Sequence, residues 1–420
     1  MKPKLLTTWP ETTSSLFLSD ALAGVTVAMV ALPLSIAIAI ASGAPPSAGI
    51  VTAIIGGFLI SALGGSRVQI GGPTGAFIVV VYGVIQQHGY DGLLLATLMA
   101  GLILIAAAIV RAGRLIALIP EAVIEGFTIG IAIIIATSQL KDLLGLTVQN
   151  VPADFVPKVQ ALWGARESFS MAALVTGVAA AALIVILRRV APRLPGLIVA
   201  TALVSAAVIL LALPVDTVAS RYGALAAALP MPSLPPVSLE RIAVLLPSAL
   251  VIAFLAGVES LLSAIVADRM IGGAHRSNAE LMAQGAANLG SALFGGLPAT
   301  GAIARTATNV RAGGRTPVAG MIHALVILIV MLLAAPLAGH LALPALAGLL
   351  LVTAWNMSEP HRWKEHLHAP AGDRFLLILT LVLTVVSDLT VAIAVGSALG
   401  LAMRLMQRGA APEEWTPPDR

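Results

Sequence analysis

Gly71-Gly72-Pro73-Thr74-Gly75-Ala76 and Gly295-Gly296-Leu297-Pro298-Ala299-Thr300-Gly301-Ala302 are near copies of one another. They lie about half a chain apart, and each interrupts a long apolar tract. Within a bilayer, an interrupted helix is tolerated only where its free backbone groups find protein or water. A helix that begins there carries unpaired N–H groups and partial positive charge at its start. Two such starts facing each other would form an electrostatic trap the size of a small anion. Paired Gly/Pro interruptions at corresponding places in two halves of a membrane protein point to a site of this kind.

The tracts around the breaks are long enough for this argument. Between Asp20 and Arg67 there are 46 residues without a Lys, Arg, Asp or Glu. A spanning helix needs about 20 apolar residues, so this stretch alone holds two, joined at Ser42-Gly43-Ala44-Pro45-Pro46. With 58% hydrophobic and 10% charged residues over 420 positions, the chain is an integral membrane protein rather than a soluble domain. It has no cysteine, which excludes disulfides, thiol catalysis and zinc–thiolate sites. The polar N-terminus runs straight into a full-length apolar segment, so no cleavable leader is expected. The net charge of +4 is explained by loop arginines and implies no nucleic-acid partner.

Apolar segments are predicted near 18–41, 48–63, 74–87, 92–110, 120–140, 170–187, 196–213, 246–267, 281–294, 300–310, 317–335, 341–355, 374–387 and 389–406. The fold class is therefore all-α and membrane-integral. Fourteen crossings put both termini on one side. With that side cytoplasmic, eighteen Lys and Arg fall inside and five outside, namely Lys141, Lys158, Arg166, Arg221 and Arg241. This is the positive-inside distribution, and the expected location is the cell inner (plasma) membrane. An offset of 226 puts Thr74 on Thr300, Gly75 on Gly301 and Pro33 on Glu259. Seven segments per copy is an odd number, so the second copy enters from the opposite face as an inverted repeat. The copies span about 18–213 and 246–408, and two half-helices meet at the midplane. Residues 1–17 form a cytoplasmic N-terminus and 409–420 a short cytoplasmic tail.

Several residues could carry the chemistry. Glu259 sits mid-segment among apolar neighbours. An acid there is expensive unless it faces a cavity, a cation or a polar group, and it can take up and release a proton; the alternative is a hydrogen bond between helices. Arg305 lies one to two turns into the second half-helix. Its guanidinium suits an oxyanion, and structural pairing with Glu259 is the alternative. Pro73, Thr74, Gly75, Ala76 and Phe77, with Thr300, Gly301 and Ala302, supply the two helix starts. Thr74 and Thr300 are read as N-caps and Phe77 as an apolar wall. Glu121 and Glu125 open a helix and complement its dipole. His361, Arg362, Lys364, Glu365, His366 and His368 lack the spacing of a metal site and are read as a solvated loop. His323 is read as a packed histidine. Gly126/Gly130 and Gly396/Gly400 suit close helix packing. Walker, GxSxG and HExxH motifs are absent, so no enzyme, ATP drive, metal or organic cofactor is expected.

Taken together, these residues resemble the sulfate permease (SulP) family, to which the solute carrier 26 anion transporters belong. The likeness rests on five stretches: Asp20-Ala21-Leu22-Ala23-Gly24-Val25-Thr26-Val27 running into Ala31-Leu32-Pro33-Leu34; Gly72-Pro73-Thr74; Pro120 with Gly126-Phe127-Thr128; Gly257-Val258-Glu259-Ser260; and Pro298 through Thr306 with Arg311-Ala312-Gly313-Gly314-Arg315-Thr316. It covers about 15–408. The resemblance implies a core domain (segments 1–4 and 8–11) that binds an anion and moves, elevator-like, against a gate domain (5–7 and 12–14). Glu259 matches the acid used for proton or cation coupling, and Arg305 a basic residue beside the anion. Relatives usually continue into a cytoplasmic STAS domain, which is expected to be absent here.

The function expected is proton-coupled symport of sulfate, bicarbonate or a carboxylate such as fumarate. Sodium coupling is a close variant, with Glu259 and the Thr300 region as oxygen ligands. A nucleobase carrier of the same fold would want an acid on segment 10, where this chain has Arg305. An anion channel is a further alternative. The expected partners are a small anion and membrane lipid, and a homodimer is left open.

Overall fold

The computed structural model describes residues 2–113, 120–148, 151–191, 194–387 and 389–406. The expected tail at 409–420 lies outside the described residues. The described residues are mostly helical. The first half contains α1 (Ser14–Ala41), α2 (Pro46–Leu63), α3 (Ile78–Ile109), α4 (Glu121–Leu143), the short α5 (Phe155–Gly164), α6 (Met171–Val190), α7 (Gly196–Leu210) and the single-turn α8 (Val218–Tyr222). The second contains α9 (Leu239–Ile271), α10 (Ser277–Leu293), α11 (Ile303–Arg311), α12 (Val318–Gly339), α13 (Leu343–Met357), α14 (Trp363–His368), α15 (Ala371–Val386) and α16 (Leu389–Met406). Among the described residues, seven helices are long and apolar enough to cross a membrane: α1, α2, α3 with its preceding turn, α4, α6, α9 and α12.

The helix positions follow the apolar tracts closely. The segments expected at 74–87 and 92–110 correspond to the two limbs of α3, which are separated by a break at Gly89. That residue has φ 70° and ψ 178°, which glycine adopts without a Cβ clash. The polar run Gln86-Gln87-His88-Gly89-Tyr90-Asp91 interrupts the apolar tract there, so the break is visible in the hydrophobic pattern.

Two helix groups result. In one, α3 packs on α9 and α10, α12 packs on α1 and α2, and α11 packs on α9. In the other, α4 packs on α15 and α13, α6 on α13 and α7, and α16 on α15. Helix α1 contacts both, meeting α7 and α13 of the second group. Most of these contacts join the first half of the chain to the second. Small residues make the close approaches possible. A side chain at Gly126 would strike the Leu377 carbonyl and one at Gly130 the Thr384 side chain, both on α15. This is the packing role expected of that glycine pair.

Buried polar ties fix the first group. Asp20 of α1 is completely buried and accepts hydrogen bonds from the Arg315 and Thr316 N–H groups, 2.7 and 3.2 Å, and from the Thr316 hydroxyl. It thereby satisfies backbone donors just before α12, groups that would otherwise be unpaired in the interior.

Candidate functional site: two broken helices joined at the centre

The two Gly/Pro breaks pair with each other. Gly71–Gly72 and Thr300–Gly301 form a minimal antiparallel ladder, with Gly71 opposite Gly301 and Gly72 opposite Thr300. The Ala302 N–H adds a bond to the Ile70 carbonyl at 2.8 Å. Extended backbone at this depth needs all its groups satisfied, and each break meets part of that need through the other. Close approach requires the absence of side chains. A Cβ at Gly301 would overlap the Gln69 amide, and one at Gly72, where φ is +149°, would overlap the Arg305 guanidinium.

A helix begins immediately after each ladder strand. Gly75–Phe77 form a 3-10 turn that leads into α3, and α11 starts at Ile303 behind Ala302. Neither start has a side-chain cap, so the N-capping expected of Thr74 and Thr300 does not occur. Thr74 instead donates to a Glu259 carboxylate oxygen, 2.9 Å away on α9. Thr300 lies within the ladder, too early to cap α11, and its hydroxyl donates to the Ala256 carbonyl at 2.9 Å. The uncapped first-turn N–H groups therefore remain available to a ligand.

Arg305 is 1% exposed and reaches back from α11 to the first break. Its Nη2 donates to the Pro73 carbonyl at 3.0 Å and to Ser35 Oγ at 3.2 Å. Its Nε and Nη1 are buried without a hydrogen-bond partner among the described residues. Among the described residues the expected alternative of direct pairing with Glu259 is not formed: the carboxylate accepts from Thr74, and no ion pair joins it to Arg305. Glu259 keeps part of its surface accessible, as do Ala76, Ile303 and Ala304, whereas Thr74, Gly75, Phe77, Gly301 and Ala302 are buried. All ten site residues expected from the sequence thus belong to one region around the ladder.

A polar network that the sequence reading missed supports this centre. Glu280 of α10 is fully buried. It accepts from the Gly65 and Ser66 N–H groups at 2.8 and 3.1 Å, from Ser260 Oγ at 3.2 Å and from Gln284 Nε2 at 3.0 Å. Gln69 donates to the same Ser260 hydroxyl at 2.9 Å. Asn288 brackets Ala299, accepting from its N–H at 3.0 Å and donating to its carbonyl at 2.8 Å. The signal was present in the sequence: Glu280, Gln284, Asn288 and Ser291 recur at helical spacing on one face of α10. Starting the segment at 281 removed its first member.

Two other clusters lie away from the ladder, at opposite ends of α4. At its start, Arg362 pairs with Glu125 at 2.7 Å and Glu121 at 3.1 Å, and His366 meets Glu125 at 3.1 Å. The stretch expected to be a solvated loop is therefore an ordered turn and short helix docked on α4. The buried His323 has no hydrogen-bond partner for either ring nitrogen among the described residues, so packing surrounds it without satisfying it. At the other end of α4 is a cavity of about 210 Å³ lined by Tyr82, Lys141, Asp142, Lys158 and Arg221.

Comparison with known proteins agrees with this architecture. Residues 17–380 match the Sulfate permease family. YvdB of Bacillus subtilis (strain 168) is 42% identical over 366 residues, which is 87% of this chain and 69% of YvdB. The bicarbonate transporter BicA of Picosynechococcus sp. is 32% identical over 362 residues, 79% of this chain and 60% of BicA. The chain therefore spans well under two thirds of that relative's length. The solved transmembrane domain of a cyanobacterial BicA superposes with a TM-score of 0.81 at 31% identity, covering 92% of this chain and 98% of that domain. Murine Slc26a9 in its inward-facing state shares the fold, with a TM-score of 0.86 at 19% identity over 96% of this chain and 71% of that one. The ladder of paired breaks, the helix grouping around it and these matches lead to one conclusion: the chain belongs to the sulfate permease family, whose members compared here are transporters and not enzymes.

Proposed function

We propose that the protein is a secondary-active transporter of a small oxyanion, such as sulfate, bicarbonate or a carboxylate like fumarate, coupled to protons through Glu259. The observation that carries this reading is Arg305, a buried cation with two unpartnered donors beside two uncapped helix starts. Those donors match an oxyanion in charge. The backbone at the starts adds N–H groups of the same polarity. The BicA relative and the family description both concern small oxyanions. In this reading the chain makes fourteen passes as two inverted repeats of seven, with both termini cytoplasmic in a plasma membrane. The group containing α1–α3 and α9–α12 carries the anion and slides against the other. Thr74 holds Glu259 in place, and proton binding there neutralises the site's fixed negative charge when the anion is loaded.

Uptake of sulfate, bicarbonate, fumarate and uracil into proteoliposomes, with and without an inward proton or sodium gradient, tests this. One of the three anions is expected to accumulate with the proton gradient. Glu259→Gln is expected to leave downhill flux within about tenfold while abolishing the response to the gradient. Accumulation driven by sodium alone replaces the proton with sodium, and uptake of uracil but no anion overturns the proposal.

A further inference from the structure

The cavity at the far end of α4 has features that packing does not require. It lies where α1, the first limb of α3, α4, α5 and α8 meet, so it is bounded by both helix groups. One wall is formed by Ile78, Val79, Tyr82 and Gln86, successive turns of the helix that begins at the first break. The cavity thus lies along the helix that starts at the first break. Its volume of about 210 Å³ is roughly seven times a water's share of liquid volume. That is room for a four-oxygen anion and part of its hydration.

Three cations, Lys141, Lys158 and Arg221, and one carboxylate, Asp142, line the cavity. Arg221 is taken up by Asp142 and by Asp216, the latter at 2.8 Å. Lys141 donates to the Val148 carbonyl at 2.9 Å and forms no ion pair among the described residues. Lys158 is 4% exposed although it lies on the short surface helix α5. Its ammonium donates to Ser138 Oγ at 3.0 Å and sits 5.4 Å from the centre of the Tyr82 ring. Neither partner is an anion. Asp154 lies close enough to act on it but forms no ion pair with it among the described residues, so desolvation of the ammonium is only partly offset.

We propose that this cavity is a second anion-binding site, in which Lys158 and Lys141 hold a small oxyanion at the mouth of the route to Arg305. The proposal rests on the reading of the chain as an anion carrier and adds a vestibule to it. The ammonium groups supply the charge, and Ser138, Tyr82 and Gln86 supply polar contacts around it. The charged and titratable groups facing Lys158 are Asp154 on its own helix, Tyr82 on α3, Lys141 and Asp142 on α4, and Arg221 and Tyr222 on α8. Burial pushes Lys158 down from the ordinary lysine range to about 8, with Asp154 opposing the shift. The ammonium is therefore mostly charged at pH 7 and mostly neutral at pH 9, so the vestibule should lose anion affinity as pH rises through that interval.

The test is hydrogen exchange of the purified full chain in detergent, with sodium sulfate against sodium gluconate at matched ionic strength. Sulfate is expected to slow exchange in 151–164 in the wild type and in Arg305→Gln, but not in Lys158→Gln. The sulfate concentration for half protection is expected to rise roughly tenfold from pH 7 to pH 9, following the loss of the ammonium. Lys158→Arg should keep the protection and lose its pH dependence, since arginine stays charged; a merely structural lysine would not move that profile. Absence of protection at 151–164 in the wild type, or its persistence in Lys158→Gln, overturns the vestibule. Protection at 151–164 with none at 72–77 and 302–306 leaves the vestibule standing and counts against an anion at the breaks.

Discussion

The two breaks have similar sequences but are held in different ways. The first is tied by the second half of the chain. Arg305 binds the Pro73 carbonyl, Asn309 the Val68 carbonyl at 2.8 Å, the Thr306 hydroxyl accepts from the Ile70 N–H at 3.1 Å, and Glu259 accepts from Thr74. The second is tied by neutral groups. Asn288 brackets Ala299, while Thr52 accepts from the Leu297 N–H at 2.6 Å and Ser291 donates to the Leu297 carbonyl at 2.6 Å. Charge that reaches the centre therefore comes from the second half and is aimed at the first break. The second break is a neutral scaffold. In the proposed reading the shared helix starts serve binding from both sides, whereas coupling and charge recognition fall to α9 and α11.

The largest effect should follow from removing the charge directed at the first break. Arg305→Gln retains a donor for Pro73 but loses the cation and the two free donors. A charge-assisted hydrogen bond contributes about 1.5–3 kcal/mol, so anion affinity should fall by about 100-fold while the protein still folds. Uptake kinetics in proteoliposomes over a wide anion range measure this. An unchanged KM would break the comparison, because the first break would then not depend on the second half for charge.

A change confined to the second break should affect stability more than transport. Asn288→Ala leaves the Ala299 N–H and carbonyl buried without partners. Each unsatisfied group costs about 1–3 kcal/mol, so the two together should cost about 2–6 kcal/mol in thermal unfolding monitored in detergent. The anion KM of the folded fraction should stay within about twofold. A KM shift as large as that of Arg305→Gln would show that the neutral scaffold also sets affinity.

The contrast explains what the sequence made legible. Helix positions were readable because hydrophobic length is a local property. Glu259 and Arg305 were readable because charge is rare in such tracts, which makes each instance conspicuous. Contacts across the ladder were less so. Thr300 looked like an N-cap from its position ahead of an apolar turn, but the antiparallel pairing carries the chain two residues further before α11 can start. Lys158 was counted only as one of the outer charges, since its burial depends on α5 folding over α4. The Asn288 face of α10 is less conspicuous because neutral amides bear no charge to single them out, and their partners lie far away in sequence.

The smallest expected effect comes from Thr300, and it separates the two coupling schemes. Thr300→Val preserves shape and the backbone ladder and removes one buried hydroxyl together with its bond to the Ala256 carbonyl. That carbonyl lies within α9, so the loss of this bond should cost about 1 kcal/mol. If Glu259 is coupled to protons through Thr74, the variant should retain its response to a pH gradient and an anion KM within about threefold. If the coupling ion is sodium and Thr300 is one of its oxygen ligands, the same substitution should remove most sodium dependence, because a valine methyl cannot ligate a cation. Measuring uptake by Thr300→Val under separate proton and sodium gradients therefore shows whether the second break is only a scaffold. A large loss confined to the sodium arm would move part of the coupling chemistry from Glu259 into the ladder itself.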